Sequence, residues 1–323
     1  MTASPRLSIV IPTLNRLSLA RRALESALAQ TADDIEVLIS DNGSNDGTAA
    51  WLAGVSDRRL RKFHHAQTIS AQDHGNFLID QARGEYFVGL SDDDWLEPDF
   101  AARVLALLDR HPGLPFLYTG CLTHYAQSSV PALCGPERES GCDFLAAFFA
   151  GEREVCWCAA VSRLADLRAI GPIPPGRIFG DMYLWTRLAR LGDVGCVALP
   201  LSHYSFITAD NVSTGTPVTA WALETRLLAD EVLQAWPPGD QPRIERLTRD
   251  MQAFVARSSA NQFVWNVVRG AARSRLWRSL PALWPLLRRS PQVWPRLLVA
   301  LLLPHAWTRT LVLVAAKRRS RQR

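Results

Sequence analysis

Asp92, Asp93 and Asp94 stand side by side directly after the apolar run Tyr86–Leu90. Adjacent carboxylates at the end of a strand repel one another, and a divalent cation is the simplest partner that would hold them together. Mg2+ or Mn2+ takes oxygen ligands and shares its coordination with substrate phosphates. The same run also suits an acidic, solvated turn ahead of a helix begun at Pro98. A second polar loop, DNGSNDGT (Asp41–Thr48), follows the apolar run Ile35–Ser40. A carboxylate in the place of Asp41 can accept a hydrogen bond from a ligand N–H or hydroxyl. Equally, Asx and Gly residues make turns on their own account, and Asp46 would cap the helix behind it. No G-x-G-x-x-G follows the first apolar run and no G-x-x-x-x-G-K-[ST] occurs anywhere, which excludes dinucleotide-fold and P-loop chemistry. The first loop is Pro12-Thr13-Leu14-Asn15 instead.

The elements that must position these loops follow from periodicity. Leu7–Ile11 reads as a strand ended by Pro12, and Leu17–Gln30 as a helix. Ile35–Ser40, Leu60–His64 and Tyr86–Leu90 read as further strands, with Ala49–Leu52 and Ala71–Ala82 as the helices between them. Strands alternating with helices predict a parallel, doubly wound α/β sheet. Ligands sit at the carboxyl ends of such strands, and the loops beginning at Pro12, Asp41 and Ser91 would all emerge there. Farther on, Pro98–Arg110 and Phe179–Leu191 read as helices, and Pro115–Gly120 and Val155–Val161 as strands. From about Pro217 the pattern turns helical, with 7 of the 11 tryptophans at or after Trp221.

Four stretches in order, SIVIPTLNR (Ser8–Arg16), VLISDNGSNDGT (Val37–Thr48), ARGEYFVGLSDDDWLEPD (Ala82–Asp99) and GDMYLWTRLARLG (Gly180–Gly192), resemble the successive motifs of family 2 glycosyltransferases. The likeness runs over about residues 6–200. It implies the GT-A fold, a doubly wound mixed sheet flanked by helices. It also implies that a nucleotide-diphosphate sugar binds across the strand ends, with Pro12, Thr13 and Asp41 holding base and ribose. The acidic triplet takes the family's D-x-D role on ribose and metal, which makes Asp92, Asp93 and Asp94 the candidate ligands of Mn2+ or Mg2+. Two registers are open. Counting from Asp92 pairs Asp92 with Asp94. Anchoring on Leu90 and Trp95 puts Ser91 in the usual first-Asp place, makes Asp93 the main ligand and turns Asp92 toward the ribose; this register is preferred. Asn76 matches an Asn often found before the third helix's apolar run, and equally suits a helix-surface amide. Asp181 falls where the family carries a general base, although Gly180 replaces the acidic residue that usually precedes it. Asp181 would also cap the helix that follows. One base suffices for inversion by single displacement, because the acceptor hydroxyl attacks the anomeric carbon while the metal neutralises the departing diphosphate. Where many relatives carry a Tyr-Arg-x-His-like segment before Asn-x-Ser, this chain keeps Asn211-Val212-Ser213 without the Arg and His. His203 is then either a stand-in metal or phosphate contact, should the loop shift, or a satisfied histidine at a strand end. Arg61 and Lys62 either reach the diphosphate or remain solvated charges.

The 36 basic and 31 acidic residues are segregated along the 323-residue chain. Residues 251–323 hold 14 basic and no acidic residues, so residues 1–250 carry a net charge of −9. An acidic body with a cationic tail suggests chemistry in the body and an anionic partner for the tail. Leu276, Leu280, Leu283 and Leu287 recur at helical spacing with Trp277 and Trp284 alongside, while Arg273, Arg275, Arg278, Arg288 and Arg289 supply charge. This is the composition of an interfacial amphipathic helix, which Pro281 and Pro285 are expected to break into kinked pieces. Leu297–Ala316 has the length of a membrane span, but Arg309 within it costs about 2.5–3.5 kcal/mol on insertion scales. In-plane attachment to an anionic membrane surface is therefore expected, with a true span, or a helical subdomain packed on the body with a solvated basic end, as the alternatives. No recognisable nucleic-acid-binding module occurs, and the apolar content suits lipid better. The expected division is a GT-A domain over 1–215, a helical extension over 216–268, and a basic, Trp-rich, amphipathic membrane-association segment over 269–323. The six cysteines lack CxxC spacing and are expected to be reduced, mostly buried thiols of a cytoplasmic protein. The N-terminus lacks the long apolar run of a secretory signal. The expectation is a cytoplasmic enzyme, peripheral on the inner face of the cell membrane, acting on a glycan or lipid-linked acceptor of a surface polysaccharide. Ser128–Gly141 is the expected sugar-specificity loop, and the alternative is an inactive membrane-bound scaffold or a nucleic-acid-binding protein using the basic tail.

Overall fold

The computed structural model describes residues 4–125, 128–206, 216–238, 241–268, 273–288, 293–303, 307, 308 and 311, excepting the side chains of 268, 273–276, 285 and 286. Asn211-Val212-Ser213 and the basic residues from Lys317 onward lie outside them. The chain forms two compact units. The first comprises Met1–His124, Pro131–Leu145 and Arg153–Phe206; the second comprises Tyr125–Val130, Ala146–Glu152 and Ile207–Arg323.

In the first unit β1 (Leu7–Thr13) lies between β2 (Ile35–Asp41) and β4 (Tyr86–Gly89), parallel to both. Every residue of β1 and β2 except Pro12 is buried, as both-face coverage of a parallel strand requires. β3 (Leu60–His64) forms the half-exposed edge. Helices α1 (Leu17–Leu28), α2 (Thr48–Gly54) and α3 (Ala71–Gln81) connect these strands, so the crossovers follow the predicted order.

Beyond β4 the sheet becomes mixed. β5 (Trp95–Leu96) and α4 (Phe100–Arg110) are followed by β6 (Phe116–Tyr125), β7 (Ser128–Pro131), β8 (Arg138–Ser140) and α5 (Gly141–Ala150). Next come β9 (Ala160–Arg163), α6 (Leu164–Ala169), α7 (Gly180–Leu188) and β10 (Asp193–Ser205). The order across the sheet is β3-β2-β1-β4-β9-β6-β10-β5, with β9 antiparallel to both neighbours and β5 antiparallel to β10. The strand expected over Val155–Val161 begins only at Ala160, because Trp157–Ala159 forms a 3₁₀ turn. Gly89 is required there: a Cβ on it would lie 2.1 Å from the Trp157 ring. Ile9, Val37, Val88, Phe100, Val104 and Leu117 are among the fully buried centres of the core. All six cysteines are free thiols, with Cys121, Cys158 and Cys196 buried.

The second unit contains α8 (Val218–Gln234), α9 (Gln241–Val268), α10 (Arg273–Leu287) and α11 (Trp294–Leu302). Val218, Ala222, Phe263, Val267, Leu283 and Leu297 form one core, so the helices on either side of residue 269 pack together. Contrary to the expected break, α10 runs as one helix through Pro281 and Pro285. The carbonyls these prolines leave without a helical donor belong to Trp277 and Pro281, both exposed, where water can serve them.

Candidate active site

Register alone lines up the first polar groups. Thr13 is paired with Asp41 across β1 and β2, and Asp41 with His64 across β2 and β3. Pro12, one step earlier, is paired with Ser40. The Asp41 carboxylate is fully buried; Oδ1 accepts from the Ser44 N–H at 3.0 Å, and Oδ2 meets His64 Nδ1 at 3.0 Å.

The loops after β1 and β2 are fastened to each other. Asn15, at φ 54°, donates its N–H to Ser44 Oγ and accepts from the Asn45 N–H, each at 2.8 Å. Asn tolerates this left-handed conformation. Asp46 accepts from the Leu17 N–H at 2.8 Å through one oxygen and from the Thr48 N–H at 3.1 Å through the other, so a single carboxylate serves the first turns of α1 and α2. Gly43, at φ 82°, sits where a Cβ would approach the Thr68 nitrogen to 3.1 Å.

The acidic run turns from β4 into β5 and brings two of its carboxylates to this edge. Asp92 Oδ2 accepts from Thr13 Oγ1 at 2.8 Å, and Arg16 donates one nitrogen to Asp92 Oδ1 at 3.0 Å and to Asp93 Oδ2 at 3.3 Å. Burial pushes the Asp92 carboxyl up, against the opposing pull of Arg16 and Thr13. Asp94 is placed differently. Its Oδ1 accepts from the Ser205 N–H at 2.8 Å, and its Oδ2 is buried. Burial, and then the neighbouring Asp93, hold the Asp94 carboxyl well above the usual range. Its work is to tie the acidic turn to the end of β10. Arg22 reinforces the same tie: it donates to the Asp93 carbonyl and to Ser205 Oγ, and lies 4.1 Å over the Trp95 ring.

His203 stacks on Trp95 at 4.7 Å, with Nε2 at 2.7 Å from Glu97 Oε1 and Nδ1 at 2.9 Å from His124 Nε2. Both ring nitrogens are thus engaged at a strand end. Arg61 pairs with Glu36 at 3.0 Å and with the Gln81 carbonyl at 2.7 Å, while Lys62 holds the carbonyls of Leu52 and Val55, each at 2.9 Å.

Asp181 lies in the first turn of α7, accepting from the Met182 N–H at 2.7 Å, and burial raises its carboxyl to about 6. Asn76 spends both ends of its amide on Ile173, donating to its carbonyl at 3.1 Å and accepting from its N–H at 2.9 Å. Ile173 in turn lies 3.3 Å from where a Cβ on Gly180 would be. An acidic side chain at 180 would therefore press on the Ile173 side chain, which would have to give way slightly. The Tyr204 hydroxyl is pushed up first by burial and then by the charges of Cys156, Asp94, Asp181 and Asp93, so one phenol feels both the acidic turn and α7.

Among the described residues no three His, Cys, Asp or Glu side chains are grouped to cage a metal by themselves. The donor set fits the other known pattern, in which one or two carboxylates hold the ion and substrate phosphates complete its shell. Oxygens of Asp92 and Asp93 converge on the single Arg16 nitrogen, and a cation would satisfy both from the same place.

Residues 8–119 match the family described as Glycosyl transferase family 2. A Campylobacter jejuni protein named GalNAc(5)-diNAcBac-PP-undecaprenol beta-1,3-glucosyltransferase is 30% identical over 158 residues, 46% of this chain and 50% of that protein. The succinoglycan biosynthesis protein ExoO of Rhizobium meliloti is 32% identical over 105 residues, 32% of this chain and 30% of its own. The chain spans half or less of the length of such relatives. Among solved structures, Staphylococcus aureus TarS 1–349 in complex with UDP-GlcNAc aligns with a TM-score of 0.67 at 16% identity, covering 92% of this chain and 83% of that one. The mannosyltransferase PcManGT of Pyrobaculum calidifontis, in complex with GDP-Man and Mn2+, aligns at 0.55 and 17% identity, covering 98% and 88%. Residues 8–119 thus resemble the family 2 glycosyltransferases, and their motifs stand at the strand ends of a mixed sheet with the GT-A-type fold.

Proposed function

We propose that this protein is an inverting glycosyltransferase that moves a sugar from a nucleotide-diphosphate donor to a hydroxyl of a glycan or lipid-linked acceptor in surface polysaccharide biosynthesis. The observation that carries this reading is the convergence of Asp92 and Asp93 on one point beside Thr13 and Asp41 at the strand ends. In it Pro12, Thr13 and Asp41 hold base and ribose, Asp92 faces the ribose, and Asp93 with Asp92 holds Mn2+ or Mg2+. The cation would offset the charge developing on the departing diphosphate. Asp94, committed to Ser205, keeps the turn in place.

Asp181 takes the proton of the attacking acceptor hydroxyl. A carboxyl raised to about 6 is ionised at neutral pH yet basic enough to receive that proton. A single carboxylate acting this way gives one displacement and hence inversion. Asn76, through Ile173, positions the entry to α7 and can do so whether or not it also meets the donor. The names of the relatives, one acting on an undecaprenyl-linked glycan and one in succinoglycan biosynthesis, support a lipid-linked or polysaccharide acceptor. Among the described residues no helix is long and apolar enough to cross a membrane, which is compatible with a peripheral place on the inner, cytoplasmic face of the cell membrane.

The test is a thermal-shift series of the purified full chain with UDP, GDP, dTDP and CDP, with and without Mn2+, repeated on Asp93→Ala. A metal-dependent rise with one nucleotide, lost in the variant, is the expected result and would identify the donor class. No rise with any nucleotide in folded protein would leave an inactive scaffold as the better reading.

A further inference from the structure

Helices α10 and α11 carry apolar residues on two sides. One side is spent in the core of the second unit, where Leu283, Leu287, Leu297, Ala300 and Leu301 are buried against Ala222, Phe263 and Val267. The other side faces out. Trp277, Pro281 and Trp284 follow one another at i, i+4 and i+7 along α10 and are all exposed, the two tryptophans at 49% and 53%. On α11, Leu298 and Leu302 recur at i and i+4, exposed at 46% and 66%, while the half-buried Trp294 packs against the core at their edge. This spacing keeps each exposed set on one helix face. The Trp284 and Trp294 rings meet edge to face at 5.6 Å, which joins the two stripes into one continuous surface. Trp307 is also exposed, at 65%, beside Thr308, whose hydroxyl donates to the Val299 carbonyl of α11 at 3.2 Å.

Single exposed apolar residues are ordinary, whereas a contiguous apolar face marks an interaction surface. The charges around it narrow the partner. Arg278, Arg288 and Arg296 are exposed on or next to the same two helices, and no Asp or Glu follows Asp250. A second copy docked on this face by two-fold symmetry would set arginine against arginine. Indoles are favoured at the boundary between hydrocarbon and headgroups, and arginines pair with lipid phosphates.

We propose that the face formed by Trp277, Pro281 and Trp284 with Leu298 and Leu302 lies in the headgroup boundary of an anionic lipid bilayer, with Arg278, Arg288 and Arg296 against the phosphates. This deepens the peripheral location proposed above by naming the surface and the lipid charge, and it stands apart from sugar transfer.

The experiment floats the full chain with phosphatidylcholine vesicles, with and without phosphatidylglycerol, while following tryptophan emission and, in parallel, the melting shift with nucleotide and Mn2+. The wild-type chain is expected to float with the anionic vesicles, shift its emission to the blue, and release as salt rises. Trp277→Ala/Leu302→Ser is expected to weaken binding about tenfold or more. Arg278→Gln and Arg296→Gln, which leave the apolar face intact, are expected to cost about fivefold each. All variants should keep the wild-type melting temperature and nucleotide response. Failure of the folded wild-type chain to float, or equal binding by all variants, would overturn the proposal. So would a dimer in sedimentation that Trp277→Ala/Leu302→Ser dissolves while vesicles are ignored, an outcome that gives the face to a second copy. Vesicle binding without any nucleotide response would leave this surface assigned and remove the glycosyltransferase reading instead.

Discussion

Asp181 fills two places at once, the first turn of α7 and the position of the proposed base, and burial makes these demands conflict. Its carboxyl is raised from an ordinary 3.8 to about 6, so the folded chain holds that proton more tightly than the unfolded chain does. The buried charge therefore lowers stability above pH 6, and this cost is relieved as pH falls from 6 toward 3.8. Asp181→Asn is expected to stabilise the protein by about 1–3 kcal/mol at pH 7.5 while abolishing transfer and sparing nucleotide binding. Calorimetry beside a transfer assay checks it; undiminished transfer would remove Asp181 from the chemistry. If the wild-type chain transfers sugar as proposed, its kcat/KM should drop about tenfold per pH unit below the Asp181 midpoint. Arg16 supports a second expectation. It stands where the cation is proposed to sit, so Arg16→Ala should cost about 3 kcal/mol by leaving Asp92 and Asp93 facing each other. Mn2+ should then raise the melting temperature more than it does in the wild type; an equal or smaller rise would separate the two carboxylates from the metal. The acidic triplet and Asp181 were legible from residue types in a motif. Arg16 was not, because its partners lie 76 and 77 residues away and nothing local distinguishes it from a solvated arginine. Nor was the separate fate of Asp94, which depends on β10 arriving beside the turn.

At the level of elements, β1, β2 and β4 were readable because each is a short apolar run closed by a polar loop, and β3, LRKFH, begins and ends where it was placed. β10 escaped the same reading. Its sequence DVGCVALPLSHYS mixes Gly and Pro with apolar residues, and its pairing with β6 slips register between Val197 and Pro200 and again before Ser202. Only a long strand with such irregularities can pair with β6 along its length and still reach β5 with Ser202 and His203. The parallel sheet expected from alternation became mixed for a related reason: β9 enters between β4 and β6 from a turn rather than from a crossover helix. Asp46 shows what a single loop residue does at this scale, since it serves the first turns of two helices. Asp46→Ala should lower stability by about 1–2 kcal/mol, the range of a lost helix cap. Because the loops of Thr13 and Asp41 are fastened through the same network, nucleotide affinity should fall with it. Chemical denaturation and a nucleotide titration on one preparation check both, and a stability loss with unchanged affinity would show that the loops hold their shape without this carboxylate.

For the whole molecule, the cationic end of the sequence and the proposed chemistry fall in different units. The proposed chemistry lies entirely in the first unit, on polar loops carried by a sheet whose core includes Ile9, Val37, Val88 and Leu117. The tryptophan-rich surface lies in the second, backed by a separate core around Phe263, Leu283 and Leu297. The segregation itself was plain from the sequence, but which tail residues face outward was not, because Leu283 and Leu287 share with Trp277 and Trp284 the helical spacing that defines an amphipathic stretch. The packing partner decides, and that partner is α9, whose pattern is too weakly amphipathic to announce it. Separate cores make the effect of each ligand separable. A nucleotide that binds only the folded first unit stabilises it by RT ln(1 + [L]/Kd), about 2.7 kcal/mol at a hundred times Kd. Scanning calorimetry of the full chain should therefore show nucleotide with Mn2+ raising the transition that reports the sheet, followed by cysteine exposure at Cys121 and Cys158, while anionic vesicles raise the transition that reports tryptophan emission from Trp277 and Trp284. If nucleotide moved the tryptophan transition as strongly as the thiol one, the two cores would unfold as a single cooperative body, and nucleotide binding would be thermodynamically linked to the helices that carry Trp277 and Trp284.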